Sequence, residues 1–232
     1  MTSKGFIFDL DGVIVDTAKY HYRAWKGLAN SLGISFSKAQ NEQLKGVSRV
    51  DSLKKILSWG NLTLSEKEFS NWMTLKNQEY LSYIDKMDEG EILPGVKNTL
   101  LMIHAKGHLV ALGSASKNAR LILEKVGLIS HFHCIIDGTN VTKAKPDSEV
   151  FLKAAEGLGL KPDQCIVFED AEAGIQAANA ANMISIGIGS EEFLFDADMV
   201  VSGMQELDES MIDALIRSNS KNDFKKQNQL LK

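Results

Sequence analysis

Phe6-Ile7-Phe8-Asp9-Leu10-Asp11-Gly12 is the stretch that decides the fold of this chain, because it joins an apolar run to two acids. A short run of large apolar residues bounded by glycine is typical of a buried strand. Parallel sheets place their ligands at the carboxyl ends of their strands, which is where Asp9 and Asp11 are expected to lie. An Asp-Gly turn at a strand end explains the same letters. This stretch alone therefore leaves a chemical and a purely structural interpretation open.

The composition is that of an ordinary globular protein. The 232 residues are enough for one large domain or for a core with an inserted subdomain. The hydrophobic content of 44% is usual for a globular protein. The net charge of −4 argues against a nucleic-acid partner. No segment approaches the ~20 apolar residues that span a bilayer, and no signal peptide is evident, so we expect a cytoplasmic protein without a membrane partner. Cys134 and Cys165 are expected to be buried free thiols, although the sequence also permits a disulfide.

The spacing of apolar residues changes along the chain and indicates an insertion. Residues 15–93 carry apolar positions at helical spacing without an evident strand. After Leu93-Pro94-Gly95, strands and helices alternate, which predicts a mostly parallel sheet with helices on both faces. We therefore predict an α/β fold with a doubly wound, Rossmann-like core in residues 1–14 and 94–217. Residues 15–93 would form an all-helical cap, and residues 218–232 a polar, loosely packed tail.

Capping residues and short apolar runs set the expected elements. Ser65 followed by Glu68 predicts a capping box at a helix start, and Gly33 suits the left-handed position that ends a helix. Ser116 is predicted to cap the helix that carries Ala119. The further strands are predicted at residues 109–112, 134–136, 165–168 and 183–186.

Four polar clusters occur in a fixed order next to these apolar runs. They contain Asp9 and Asp11, then Ser114, then Lys145, and finally the acidic pair Glu169-Asp170. Their order and placement resemble the four-motif signature of the haloacid dehalogenase-like phosphotransferases over most of the chain. The whole ordered set is much more specific than any single short motif.

The resemblance implies a role for each of these residues. Asp9 would be the nucleophile that forms an aspartyl-phosphate, and Asp11 the general acid/base. Ser114 and Lys145 would hold the transferring phosphoryl group, with Lys145 balancing its charge. Taken alone, Lys145 before Pro146 is more commonly an exposed loop lysine.

The resemblance also implies one Mg²⁺ per active site. Its ligands would come from Asp9, the backbone carbonyl of Asp11, Asp170, and Glu169 either directly or through water. Hard oxygen ligands of this kind suit Mg²⁺, which usually keeps several waters and phosphate oxygens. An acidic pair by itself is also explained as a helix N-terminus favoured by the helix dipole.

Three segments bear on the substrate, namely residues 16–26, 44–53 and 114–118. They resemble the signatures of the β-phosphoglucomutase family within this superfamily. That resemblance implies interconversion of β-D-glucose 1-phosphate and D-glucose 6-phosphate, with β-glucose 1,6-bisphosphate as intermediate and activator. A second phosphate needs its own cation, and Arg49 can contact it with two hydrogen bonds. The other substrate-binding residues implied are Thr17, His21, Trp25, Gly46, Val47, Ser52, Lys76, Ala115, Ser116, Lys117 and Asn118.

Other interpretations remain open for some residues and for the function. Trp25 also fits core packing within the cap, Lys76 a solvated helix face, and Ser116 and Asn118 plain helix capping. The main alternative function is a hexose-phosphate phosphatase on the same fold. A dehalogenase-type hydrolase would not need Asp11 or the acidic pair, and a catalytically silent sensor would be expected to lose catalytic residues that are all present. We expect a monomeric enzyme with small sugar phosphates as its partners.

Overall fold

The structure, a computed structural model, describes residues 3–218 and 220–224. Within these residues, six strands form a single parallel sheet. The strands are β1 (Gly5–Phe8), β2 (Leu109–Gly113), β3 (Cys134–Ile136), β4 (Cys165–Glu169), β5 (Ile184–Ile188) and β6 (Met199–Val201). Their order is β3-β2-β1-β4-β5-β6, so the doubly wound α/β fold is confirmed. The edge strand β6 was not predicted, although it has the same length as β3.

Helices cover both faces of this sheet and fill the insertion after β1. Ser65 and Glu68 form the predicted capping box, and Gly33 has the predicted left-handed conformation with φ of +72°. The prediction that Ser116 caps a helix is wrong, because the helix starts after Asn118 and the Ser116 hydroxyl accepts the Asn118 N–H. The helices are α1 (Ala18–Ser31), α2 (Lys38–Glu42), α3 (Arg49–Trp59), α4 (Glu66–Ile84), α5 (Val96–Ala105), α6 (Ala119–Lys125), α7 (Glu149–Gly157), α8 (Glu172–Ala180) and α9 (Glu209–Arg217).

Strand β1 is apolar throughout because both of its faces are buried, as in other parallel sheets with helices on each side. Phe6 and Phe8 enter the hydrophobic cluster on one face, and Ile7 enters the cluster on the other. The ring of Phe8 stacks on that of Phe168 in the neighbouring β4, with ring centroids 4.6 Å apart. These contacts hold β1 in the middle of the sheet and fix the start of the following acidic segment.

The helices α1–α4 have a hydrophobic cluster of their own, which includes Trp25, Leu53 and Ile56. The two chain segments that join these helices to the rest of the protein run side by side. The Leu93 N–H donates to the Ile14 carbonyl at 3.0 Å, and the Asp16 N–H donates to the Glu91 carbonyl at 2.9 Å. The separate apolar cluster and the hydrogen bonds between the two connecting segments favour the predicted boundaries of the cap near residues 14 and 94. These boundaries stay a prediction.

The expectation of a loosely packed C-terminal tail is wrong for the described part of the tail. Phe224 is buried in the main cluster, and the Ser218 carbonyl accepts a hydrogen bond of 2.6 Å from Lys4. The Lys221 ammonium lies 2.8 Å from the Asp198 carboxylate. Residues 225–232 and Asn219 lie outside the described residues. The composition did not indicate this packing, because single residues such as Phe224 and Lys221 attach an otherwise polar segment to the rest of the protein.

The two cysteines are free thiols, with Cys165 buried and Cys134 half-buried. No helix within residues 3–218 and 220–224 combines the length and apolarity needed to cross a membrane.

Candidate active site

The candidate site lies at the carboxyl ends of β2, β1 and β4, which are neighbours in the sheet. Asp9 directly follows β1, Ser114 directly follows β2, and Glu169 ends β4. The Asp9 N–H donates to the Phe168 carbonyl at 2.9 Å, so the sheet itself positions the aspartate. The chain runs from β1 outward to β2 and β3 on one side and then crosses to β4 on the other side of β1. Such a reversal of strand order is where doubly wound sheets bind ligands.

Lys145 reaches the acidic residues from the loop after β3. Its ammonium lies 2.5 Å from Asp9 Oδ1 and 2.8 Å from Glu169 Oε2, and it is almost completely buried. Burial alone would lower the pKa of Lys145, but the two carboxylates outweigh it and hold the pKa above its usual range. Lys145 is therefore a permanent positive charge beside Asp9, and its interpretation as an exposed loop lysine is wrong.

Asp9, Glu169 and Asp170 form an acidic cluster in which one carboxylate oxygen from each residue lies within 4.8 Å of the others. Burial and the neighbouring carboxylates raise the pKa of Glu169 to about 8 and that of Asp170 to about 6. A divalent cation would offset this crowding of negative charge, and carboxylate oxygens are the ligands that Mg²⁺ prefers. The residues therefore fit Mg²⁺. The Asp11 carboxylate is outside the cluster, and its implied metal contact is through the backbone carbonyl.

Asp11 is held by a different set of partners. The Thr17 hydroxyl donates to Asp11 Oδ1, and His21 Nε2 lies 3.7 Å from the same oxygen. The other ring nitrogen of His21 lies 3.0 Å from the Lys76 ammonium. Burial would raise the pKa of Asp11, but the nearby His21 ring and the Thr17 hydrogen bond outweigh it and keep the pKa below its usual range. Asp11 is thus ionised here and able to accept a proton.

Lys76 belongs to the interior, so its interpretation as part of a solvated helix face is wrong. Its side chain is buried, and its ammonium lies 4.6 Å from the ring centroids of both Trp25 and Tyr80. Burial and the nearby charge of Arg49 lower the pKa of Lys76 to about 7. Trp25 also packs in the cluster of the helical insertion, and it lines the cavity described next.

A cavity of about 430 Å³ lies between the helical insertion and the acidic end of the sheet. Most of the predicted site residues line it. Thr17, Lys145 and Glu169 do not line it, since all three are buried, with Thr17 bonded to Asp11 and Lys145 bonded to Glu169. The predicted residues that line it are Asp9, Asp11, His21, Trp25, Gly46, Val47, Arg49, Ser52, Lys76, Ser114, Ala115, Ser116, Lys117, Asn118 and Asp170.

Two cations in the cavity wall have neither an ion pair nor a side-chain hydrogen bond among the described residues. Arg49 starts α3 and is half-buried, and within the described residues its guanidinium has neither a hydrogen-bond acceptor nor a carboxylate partner. Lys117 lines the cavity from the core side and is likewise without an ion pair to any described residue. Beside it, the Asn118 amide donates to Asn77 of α4 at 3.2 Å and joins the two walls. Unpaired cations in a cavity wall are available to an anionic ligand.

Lys45 is a site residue that sequence reasoning missed. Its ammonium lies 3.1 Å from Asp170 Oδ2 and 2.9 Å from Glu42 Oε2. The sole sequence signal was its place next to Gly46 in the segment 44–53, and nothing in that segment indicates a contact with Asp170. The segment Val141–Ala144 also lines the cavity and was not predicted.

Gly12 lies where a side chain would collide with the acidic cluster. Its φ is +83°, and a Cβ there would lie 2.2 Å from Asp170 Oδ2. Gly33 has a similar φ of +72° but open space around its missing Cβ. We expect Gly33→Ala to lower the free energy of unfolding by about 1 kcal/mol and Gly12→Ala by about 2–3 kcal/mol, since Asp170 must also move. Denaturant titration measures both, and equal losses would contradict the collision.

Comparisons with known proteins agree with this geometry. Residues 3–182 match the family model described as haloacid dehalogenase-like hydrolase. The β-phosphoglucomutase of Bacillus subtilis (strain 168) is 41% identical over 209 residues, which is 88% of this chain and 91% of that protein. The crystal structure of β-phosphoglucomutase from Clostridium difficile superimposes with a TM-score of 0.89 and 39% identity, covering 100% of both chains. The fructose-1-phosphate phosphatase of Escherichia coli (strain K12) is 30% identical, covering 79% of this chain and 95% of that protein.

Proposed function

The chain belongs to the haloacid dehalogenase-like hydrolase family, and we propose that within it the protein acts as a Mg²⁺-dependent β-phosphoglucomutase. It would interconvert β-D-glucose 1-phosphate and D-glucose 6-phosphate through an aspartyl-phosphate and β-glucose 1,6-bisphosphate. The observation that carries the proposal is one cavity that holds a nucleophile candidate, Asp9, and two unpaired cations, Arg49 and Lys117. A substrate with a reacting phosphate and a second, non-reacting phosphate matches that arrangement.

The cycle would start from an enzyme whose Asp9 already carries a phosphoryl group from β-glucose 1,6-bisphosphate. A sugar hydroxyl attacks this phosphorus, the bond from phosphorus to Asp9 breaks, and the hydroxyl proton passes to Asp11. In the second step Asp9 attacks the other phosphate, the bond from phosphorus to the sugar oxygen breaks, and Asp11 returns the proton to that oxygen. The ionised state of Asp11 suits the first step, and the fixed charge of Lys145 beside Asp9 stabilises the transferring group.

Asp9, Glu169 and Asp170, with the backbone carbonyl of Asp11, are the residues that would hold Mg²⁺. When bound, the ion would neutralise charge on the transferring phosphoryl group. The raised pKa values of Glu169 and Asp170 support this assignment, since these buried acids lack enough positive charge of their own.

Arg49 would bind the second phosphate. A guanidinium forms two parallel hydrogen bonds with a phosphate, and this one has no competing carboxylate among the described residues. After the first transfer the intermediate must be able to present either phosphate to Asp9. A second phosphate site lets the intermediate bind in two orientations, with one phosphate beside Asp9 and the other beside Arg49, whereas a phosphatase has no need for such a site.

A hexose-phosphate phosphatase is the second candidate, and the 30% identity to the fructose-1-phosphate phosphatase favours it. The two reactions share the aspartyl-phosphate and differ in the acceptor, which is a sugar hydroxyl in one and water in the other. Exclusion of water by the helices over the cavity therefore separates the two functions.

A coupled assay distinguishes these candidates. Purified protein would receive β-glucose 1-phosphate, Mg²⁺ and a trace of β-glucose 1,6-bisphosphate, while glucose 6-phosphate and free phosphate are followed in parallel. We expect glucose 6-phosphate without matching phosphate release, and none from the α anomer. Free phosphate as the main product would contradict the mutase and favour the phosphatase.

A cytoplasmic location and a monomeric state complete the proposal, and both rest on the sequence. Light scattering after size-exclusion chromatography tests the second, because a monomer must give the 25.5 kDa of a single chain.

A further inference from the structure

Lys45 links the helical insertion to the acidic cluster of the core. It follows α2, and its ammonium lies 3.1 Å from Oδ2 of Asp170, the residue after β4. Lys145 pairs with Asp9 and Glu169 instead, so among the described residues Lys45 is the cation paired with Asp170. Without a metal ion, Lys45 thus acts as the counterion of one carboxylate in the cluster.

A divalent cation and this ammonium would compete for the same carboxylate. The cation and the ammonium are both positive and repel each other when they lie close to the same oxygen. A carboxylate that binds a metal ion is also a poorer hydrogen-bond acceptor for the ammonium. Lys45 has a second acceptor, because Glu42 Oε2 lies 2.9 Å from the same nitrogen. The side chain of Glu42 is 56% exposed and that of Lys45 is 27% exposed, so the ammonium can stay with Glu42 and water after it leaves Asp170.

The position of the pair permits such an exchange. Lys45 and Asp170 line the substrate cavity and also a second cavity of about 380 Å³, lined by Gly12, Asp16 and Gln205 among others. The ion pair therefore stands between two open spaces rather than in the close-packed core. Movement of the ammonium by a few ångströms would not require repacking of the apolar clusters.

We propose that Lys45 is a positioning residue that occupies Asp170 in the substrate-free enzyme and must be displaced toward Glu42 before Mg²⁺ binds. Of the proposed function, this inference assumes only the Mg²⁺ site and not the sugar-phosphate substrate. Lys45 therefore weakens Mg²⁺ binding, and by reciprocity bound Mg²⁺ weakens a contact between the helical insertion and the core. Metal occupancy and the position of the insertion are thereby coupled before any sugar phosphate binds.

Calorimetric titration of the substrate-free protein with MgCl₂, in buffer free of phosphate, tests the proposal. Lys45→Met is expected to lower the dissociation constant of Mg²⁺ by about two- to fivefold, the upper part of the range of a partly exposed ion pair. Lys45→Arg keeps the charge and is expected to stay near the wild-type value. Lys143→Met is the matched control, since Lys143 lines the same cavity but pairs with Asp147 at 3.3 Å.

Glu42→Gln separates displacement from a general effect of charge. It removes the second acceptor, so it should weaken Mg²⁺ binding in the wild-type background and have no effect in the Lys45→Met background. A general loss of negative charge would weaken binding equally in both backgrounds.

The outcomes separate this proposal from the metal site itself. Unchanged or weaker Mg²⁺ binding in Lys45→Met overturns the role of Lys45 and leaves the metal site standing. Equal tightening in Lys143→Met, or equal weakening by Glu42→Gln in both backgrounds, also overturns it in favour of general electrostatics. If the wild-type protein binds no Mg²⁺, both the proposed metal site and the role of Lys45 are wrong.

Discussion

Asp9→Asn is expected to abolish phosphoryl transfer, with turnover reduced by at least about 10⁴-fold. An amide has nearly the size of the carboxylate but cannot attack phosphorus. The Lys145 ammonium, now 2.5 Å from Asp9 Oδ1, keeps its contact with Glu169, so the site should retain its shape. The coupled assay measures the loss of turnover. Incubation with a radiolabelled phosphoryl donor measures the aspartyl-phosphate directly, and no label should remain on the variant.

Asp163→Asn is a suitable control, because it makes the same change of charge at an exposed residue outside the cavity. It should keep wild-type turnover and label. Label that persists on Asp9→Asn with unchanged stoichiometry would place the nucleophile at another residue.

Arg49→Ala is expected to reduce mutase turnover by about 10²- to 10³-fold while leaving phosphorylation of Asp9 by a small donor such as acetyl phosphate little changed. The guanidinium is half-buried and unpaired within the described residues, so its removal costs the distal phosphate a charge-assisted bidentate contact. A small donor has no distal phosphate and does not use that contact. The comparison of the two rates thus isolates the role of Arg49.

Arg49→Lys should give an intermediate loss, because it keeps the charge without the planar pair of donors. Arg23→Ala removes a cation from the exposed face of α1 and should leave both rates unchanged. Equal loss of mutase turnover and of phosphorylation in Arg49→Ala would contradict a distal-phosphate site and favour a role in folding or in closure of the cavity.

Local patterns were sufficient for the central part of the fold. The apolar run before Asp9 specified a strand, and the alternation after Pro94 specified the parallel sheet, because strands buried on both faces need continuous apolar residues. The carboxyl ends of parallel strands lie at one edge of a sheet, so Asp9, Ser114 and Glu169 could be placed at that edge. The family resemblance, rather than the local pattern, brought them into one site. The capping box at Ser65 was equally predictable, because its bonds join residues three apart.

The sequence by itself therefore determined the fold class, the edge of the sheet that carries the acids, and the family. The tertiary structure alone decided which distant side chains touch. Lys145 is 136 residues from Asp9, Lys45 pairs with Asp170 across the two parts of the protein, and the burial of Lys76 depends on packing against Trp25 and Tyr80. Contacts between residues that are distant in the sequence leave no regular spacing of residue types from which they could be predicted. They arise where segments that are distant in the sequence pack together, and the burial and neighbouring charges there set the ionisation of each group.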